Sequence, residues 1–232
     1  MIGFYNYTVV LTYLSLLSAG TGILVSLSGN GHPYWGVFFL LLCGLFDAFD
    51  GQVARTKKNR SHMESSFGIQ IDSLSDLVAF GVLPACIGVA MLQRPEFFHE
   101  AIATNNPLLY MVIKCLCFAI GAFYILAALI RLAYFNVTEE ERQKSEDGAR
   151  KYYTGLPVTS AALIFPSVML FRYILPFDIS LLYTVIMIVT GFMFLGKFQL
   201  RKPKLKGILL MILFGVLECV ALILFLYFSN RI

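Results

Sequence analysis

Charge is scarce in this sequence. Asp, Glu, Lys and Arg together make up 14% of the 232 residues, against 58% hydrophobic residues and a mean hydropathy of +0.76. A soluble domain carries roughly a quarter charged residues, so a water-soluble fold is excluded and no nucleic-acid partner is expected. Metal-binding cysteine patterns are missing as well. Cys43, Cys86, Cys115, Cys117 and Cys219 all fall in apolar stretches, without CxxC spacing or flanking histidines, and read as helix-packing residues. Met1 to Tyr7 contain no Lys or Arg, and the apolar run that follows is long enough to span, so the first segment reads as a retained helix rather than a secretory signal. No repeat or low-complexity stretch occurs, and the longest polar connection, Val137 to Tyr153, is too short to be a domain.

What the chain does have is long apolar runs. A spanning helix needs about 20 apolar residues, and seven stretches qualify, roughly 8–29, 34–54, 68–93, 108–136, 156–175, 178–198 and 206–228. The expected fold is an all-α polytopic transmembrane helical bundle in one domain, residues 1–232. Pro33, Pro107, Pro157, Pro176 and Pro203 lie close to segment ends, where the missing donor does least harm. Within the longest connection, Thr138-Glu139-Glu140-Glu141-Arg142 has the pattern of a helix start, an N-cap Thr followed by acids, and predicts a short surface helix.

The few basic residues are unevenly placed. Arg55, Lys57, Lys58 and Arg60 follow segment two; Arg142, Lys144, Arg150 and Lys151 follow segment four; Lys197, Arg201, Lys202, Lys204 and Lys206 follow segment six. The opposite side has Arg94, Arg172 and Arg231, and Lys114 and Arg131 fall within segment four. The positive-inside rule then predicts a cytoplasmic amino terminus.

The strongest local signal is a set of four carboxylates in apolar helix. Segment two ends Asp47-Ala48-Phe49-Asp50-Gly51-Gln52-Val53-Ala54-Arg55, and segment three opens Gly68-Ile69-Gln70-Ile71-Asp72-Ser73-Leu74-Ser75-Asp76. Spacings of three and four put each pair on one helical face, and a short loop makes the two helices antiparallel neighbours. The four acids are therefore expected to converge near the cytoplasmic face. Carboxylates in hydrocarbon are costly, and four close together repel or protonate unless a cation holds them. With no His or Cys in the cluster, the donors are hard oxygens suited to a divalent metal, Mg²⁺ or Mn²⁺, with room for two ions. Such ions neutralise a diphosphate and stabilise its leaving oxygen. Gly51 and Ala54 leave space for a ligand, Arg55 suits phosphate oxygens, and Asp76 is the candidate for accepting a hydroxyl proton.

These residues resemble the signature of the CDP-alcohol phosphotransferase family: Asp, two residues, Asp-Gly, two residues, Ala-Arg, a spacer, then Gly, three residues, Asp, three residues, Asp. Asp47, Asp50, Gly51, Ala54, Arg55, Gly68, Asp72 and Asp76 match, with a spacer of twelve residues, Thr56 to Phe67, at the long end of the expected range. The resemblance implies a six-helix membrane bundle, a homodimer, with a polar cavity open to the cytoplasm. The core would cover about residues 8–200, and the stretch at about 206–228 would be an extra C-terminal helix. It also implies that Asp47, Asp50 and Asp72 are the principal metal ligands, with Asp76 as ligand or general base. Gly51, Ala54, Arg55 and Gly68, with Thr12 and Ser15 on segment one, would bind the CDP group.

Three further stretches resemble the phosphatidylserine synthase branch: Asp72-Ser73-Leu74-Ser75-Asp76-Leu77-Val78-Ala79-Phe80-Gly81 with Pro84, Arg131-Leu132-Ala133-Tyr134-Phe135-Asn136, and Gly155-Leu156-Pro157. This implies CDP-diacylglycerol and L-serine as substrates, among membrane lipids, while the compact single-domain chain and its lack of a targeting sequence suggest a prokaryotic cytoplasmic membrane. Arg131 would meet the serine carboxylate, and Asn136 lies beside it; the alternative for Arg131 is a snorkelling interfacial anchor. Three rival readings remain open on sequence. One is the same chemistry on glycerol 3-phosphate or an inositol phosphate, whose pocket needs more basic residues. A second is a cation transporter, which should place acids along a path through the bilayer rather than at one face. A third is a structural protein whose aspartates only set helix pairing, a role that should survive asparagine replacement.

Overall fold

Each apolar stretch is helical in the computed structural model, which describes residues 3–28, 32–93, 106–145, 152–171, 179–201 and 205–229. A 3-10 turn, Tyr7–Val9, capped by the Asn6 side chain, leads into α1, Val10–Leu27. Helix α2, Pro33–Thr56, opens on a proline, whose missing N–H is unneeded in the first turn. Helix α3, His62–Asp76, starts in a capping box, with the Ser61 side chain accepting from Glu64 N and the Glu64 side chain accepting from Ser61 N. It runs through a π-helical turn, Leu77–Val82, into α4, Leu83–Leu92. Then come α5, Pro107–Ser145; α6, Ala161–Leu170, after a 3-10 turn at Val158–Ser160; α7, Ser180–Leu195; and α8, Leu205–Ser229.

Four spans among the described residues are long and apolar enough to cross a membrane: Tyr7–Leu27, Pro33–Thr56, His62–Leu92 and Pro107–Arg142. The apolar helices Val158–Leu170, Ser180–Leu195 and Leu209–Ala221 are shorter. Arg94, Arg150, Lys151, Arg172, Pro176, Lys202, Pro203, Lys204 and Arg231, on which part of the boundary and charge reading rested, lie outside the described residues.

Small residues let the first helices approach closely. The buried face of α1 carries Thr12, Ser15, Ala19, Gly22 and Ser26, a small-residue stripe of the kind that joins membrane helices by close contact. A Cβ added at Gly22 would sit 2.8 Å from Phe39 Cβ on α2, and one at Gly44 would sit 2.6 Å from Ala162 on α6. The largest fully buried side chains, among them Leu40, Phe80, Leu83, Tyr124, Phe165 and Tyr183, fill the space between α2, α4, α5, α6 and α7.

The structure departs from the sequence reading in two places. Residues 138–142 form no separate surface helix, because α5 continues through them to Ser145. Thr138 is not a cap: its Oγ1 donates back to the carbonyls of Tyr134 and Phe135, the habit of a mid-helix threonine. The all-α class holds, and the sequence reading leaves unmentioned a short antiparallel pair between helices, β1 (Tyr152–Thr154) on β2 (Gln199–Arg201). Gly155, at φ +75°, turns the chain beside it, its N–H donating to Phe198 O at 2.6 Å. A Cβ there would lie 2.6 Å from Gly196 O, so only glycine fits.

Candidate active site

The site forms where α2 ends and α3 begins. The two helices share a short turn at residues 57–61 but diverge from it, and α1 packs against both. The wedge that opens between them is lined by the carboxylate-bearing faces. One oxygen each from Asp47, Asp50 and Asp72 lies within 4.8 Å of the others. Asp50 is buried, and Thr12 Oγ1 on α1 donates a long 3.5 Å hydrogen bond to its Oδ2. Asp76, one turn beyond Asp72, is within electrostatic range of Asp47, Asp50 and Asp72 without joining the cluster of three. The neighbouring Ser75 Oγ donates to Thr12 O at 3.2 Å, fixing α3 against α1 at the depth of Asp76.

Among the described residues, none of the four aspartates pairs with a Lys or Arg; the loop lysine Lys57 instead meets Glu64 Oε1 at 2.7 Å. The acids are therefore not held by loop cations among the described residues. The three carboxylates suit a divalent ion. With a spread of 4.8 Å, small side-chain rotations would bring all three within bonding reach of one such ion. A cluster of hard oxygens without nitrogen or sulfur matches Mg²⁺ or Mn²⁺.

Beside the carboxylates lies a cavity of about 190 Å³ lined by Thr8, Val9, Thr12, Asp50, Gly51, Ala54, Arg55, Arg60, Ser65, Gly68, Ile69 and Asp72. It brings together Thr12, Gly51, Ala54, Arg55 and Gly68 of the expected CDP-binding set. Ser15 is not in the lining; it is buried one turn along α1, its Oγ without a partner and its backbone O accepting from Cys43 Sγ. Arg131 and Asn136 also lie outside the lining. The Arg131 side chain is 5% exposed, so it does not snorkel; its Nε donates to Leu156 O at 3.1 Å and its guanidinium faces the Phe135 ring at 5.8 Å. Asn136 Nδ2 donates to Ser73 Oγ at 2.7 Å, joining α5 to α3 one residue from Asp72. The three stretches that resembled the serine branch thus meet in space.

Sequence reasoning missed Thr8, Val9, Arg60, Ser65 and Ile69 as lining residues. Arg60 had registered only as one charge of a basic loop. No pattern marks it, since it stands just before the Ser61 cap and outside the repeat of α3.

Comparison with known proteins agrees with this geometry. The CDP-alcohol phosphatidyltransferase family pattern matches residues 5–229. A CDP-diacylglycerol--serine O-phosphatidyltransferase of Saccharomyces cerevisiae is 35% identical over 66% of this chain, which spans 50% of that relative's length. An archaetidylserine synthase of Methanothermobacter thermautotrophicus is 31% identical over 84% of this chain and 69% of its own. A CDP-diacylglycerol--serine O-phosphatidyltransferase of Methanocaldococcus jannaschii is 26% identical over 91% of this chain and 82% of its own. No solved structure matches. With three aspartates converging on a cavity walled by the signature glycines, alanine and arginine, and with that match over nearly its whole length, the chain belongs to the CDP-alcohol phosphatidyltransferase family.

Proposed function

We propose that this protein transfers the phosphatidyl group of CDP-diacylglycerol to L-serine, giving phosphatidylserine and CMP. The observation that carries the reading is the carboxylate cluster of Asp47, Asp50 and Asp72 opening onto a cavity with Gly51, Ala54, Arg55 and Gly68 in its walls. The names of the relatives support serine as the acceptor.

Asp47, Asp50 and Asp72 would hold divalent metal, two Mg²⁺ or Mn²⁺ ions, which when bound would supply charge neutralisation at the diphosphate and make CMP a better leaving group. Arg55 steadies the phosphate oxygens by charge-assisted hydrogen bonds, while Gly51 and Ala54 keep the wall low enough for the nucleotide to reach the backbone. The serine hydroxyl attacks the lipid-side phosphorus, forming the new P–O bond as the bond to CMP breaks. Asp76 accepts the hydroxyl proton; its place one turn from Asp72 supports that role. We assign the serine carboxylate to Arg131 and the adjacent polar contact to Asn136, on the support of Asn136 reaching Ser73 beside Asp72. The reading includes a homodimer in a prokaryotic cytoplasmic membrane, with its amino terminus and site on the cytoplasmic side, as the basic loops suggest.

The test is CMP release from CDP-diacylglycerol by purified protein with Mn²⁺ or Mg²⁺, comparing L-serine, glycerol 3-phosphate and inositol phosphate. Release that requires L-serine and metal is expected. Release with a phosphorylated acceptor instead overturns the serine assignment, and no metal-dependent release with any acceptor overturns the reaction.

A further inference from the structure

The cavity contains two guanidiniums, and each lies over a glycine. On the α2 wall, a Cβ added at Gly51 would stand 3.4 Å from Arg55 Nη1; on the α3 wall, a Cβ at Gly68 would stand 2.6 Å from Arg60 Nη2. Arg55 belongs to the family signature. Arg60 comes from the long spacer between the two halves of that signature. Its backbone precedes the Ser61 cap, and its side chain runs back along two turns of α3 into the space that Gly68 leaves open.

Three features separate Arg60 from an ordinary loop cation. Its Nε is buried and has no hydrogen-bond partner. Among the described residues it pairs with no carboxylate, although Asp50 and Asp72 line the same cavity. Its loop neighbour Lys57, by contrast, is engaged by Glu64, which also accepts from Asn6 Nδ2 at 2.8 Å. Burying part of a guanidinium with a donor unmet is unfavourable, and pairing that guanidinium with a phosphate anion between the two walls would offset the cost. A planar guanidinium suits phosphate oxygens in a way an ammonium does not.

Resting on the CDP-lipid reading above, we infer that Arg60 is a second phosphate-binding residue, closing on the nucleotide diphosphate from the α3 wall opposite Arg55. Gly68 then has a specific part here: it provides the bed in which the Arg60 side chain lies. The phosphate could in principle belong to a bulk anionic lipid, but Arg60 shares its cavity with Arg55, Gly51 and Ala54, which favours the nucleotide.

The experiment uses the full chain in phosphatidylcholine nanodiscs with Mn²⁺. CDP, which has no lipid tail, is titrated by calorimetry, and CMP release is followed against CDP-diacylglycerol and against L-serine. Arg60→Gln is expected to weaken CDP binding and raise the KM for CDP-diacylglycerol by about tenfold, the scale of one charge-assisted hydrogen bond, with the KM for L-serine unmoved. Arg60→Lys should fall between, and Gly68→Ala, which displaces the guanidinium, should act in the same direction. Unchanged CDP affinity in Arg60→Gln overturns the inference, as does an effect confined to the dependence on added phosphatidylglycerol. A wild-type protein that binds CDP yet releases no CMP removes the reaction assignment, and the Arg60 inference is then decided by the CDP titration alone.

Discussion

At the scale of single residues, the four aspartates divide into a group of three and a fourth set apart. Asp47, Asp50 and Asp72 converge within 4.8 Å, while Asp76 stays one turn beyond. The division predicts different failures. Asp76→Asn should keep CDP affinity in Mn²⁺ while kcat falls roughly 10²–10⁴-fold, the range of a lost general base; equal losses in binding and turnover would make Asp76 a metal ligand instead. Asp47→Asn should weaken metal binding, so that raising Mn²⁺ restores part of the turnover, and EDTA should abolish CMP release from wild type until Mg²⁺ or Mn²⁺ is returned. The aspartates were legible in the sequence because a carboxylate in an apolar helix has few inexpensive explanations. Arg60 was not, because a basic residue in a loop has many, and the Gly68 cleft that receives it exists only after α3 folds.

At the scale of elements, helices were easy to read and their irregularities were not. The stretch 68–93 reads as one apolar helix, yet α3 and α4 are joined by a π turn that begins immediately after Asp76. Its stability rests on a distant partner. Pro84 lacks the N–H that would reach the carbonyl of residue 80 in an α-helix, and Tyr124 OH, from α5, donates to Phe80 O at 2.7 Å instead. Tyr183 OH, from α7, donates to Pro84 O at 2.9 Å. Both rings are fully buried. Tyr124→Phe leaves a buried carbonyl with that donor gone and should destabilise by about 1–3 kcal/mol, read as a lower midpoint in thermal unfolding of the detergent-solubilised protein. Because the π turn adjoins Asp76, kcat should fall as well, with CDP affinity held. Local spacing contains none of this information, just as it could not show β1 finding β2, 45 residues and more along the chain.

At the scale of the whole molecule, the sequence reading set α8 apart as an addition to a six-helix core. In the folded protein α8 packs on α6 and α2, and its one charged-type residue among the described side chains, Glu218, is 2% exposed and bonded to Ser167 on α6. Ser167 Oγ also donates to Leu163 O at 2.8 Å. A hydroxyl has one proton to give, so with that proton on Leu163 the bond to Glu218 requires a donor on the carboxyl side, as in a neutral acid. The other oxygen, Oε2, is buried without a partner, an arrangement far less costly for a neutral carboxyl than for a carboxylate. Glutamine has the same shape and an N–H to offer, whereas alanine has neither. Glu218→Gln should therefore preserve the thermal midpoint, and Glu218→Ala should lower stability by about 1–3 kcal/mol, with the CDP affinity of the folded fraction unchanged because the site lies on α1, α2 and α3. If Gln proves as damaging as Ala, the carboxyl is ionised and needs its charge, and Ser167 donates its proton to Glu218 rather than to Leu163 O.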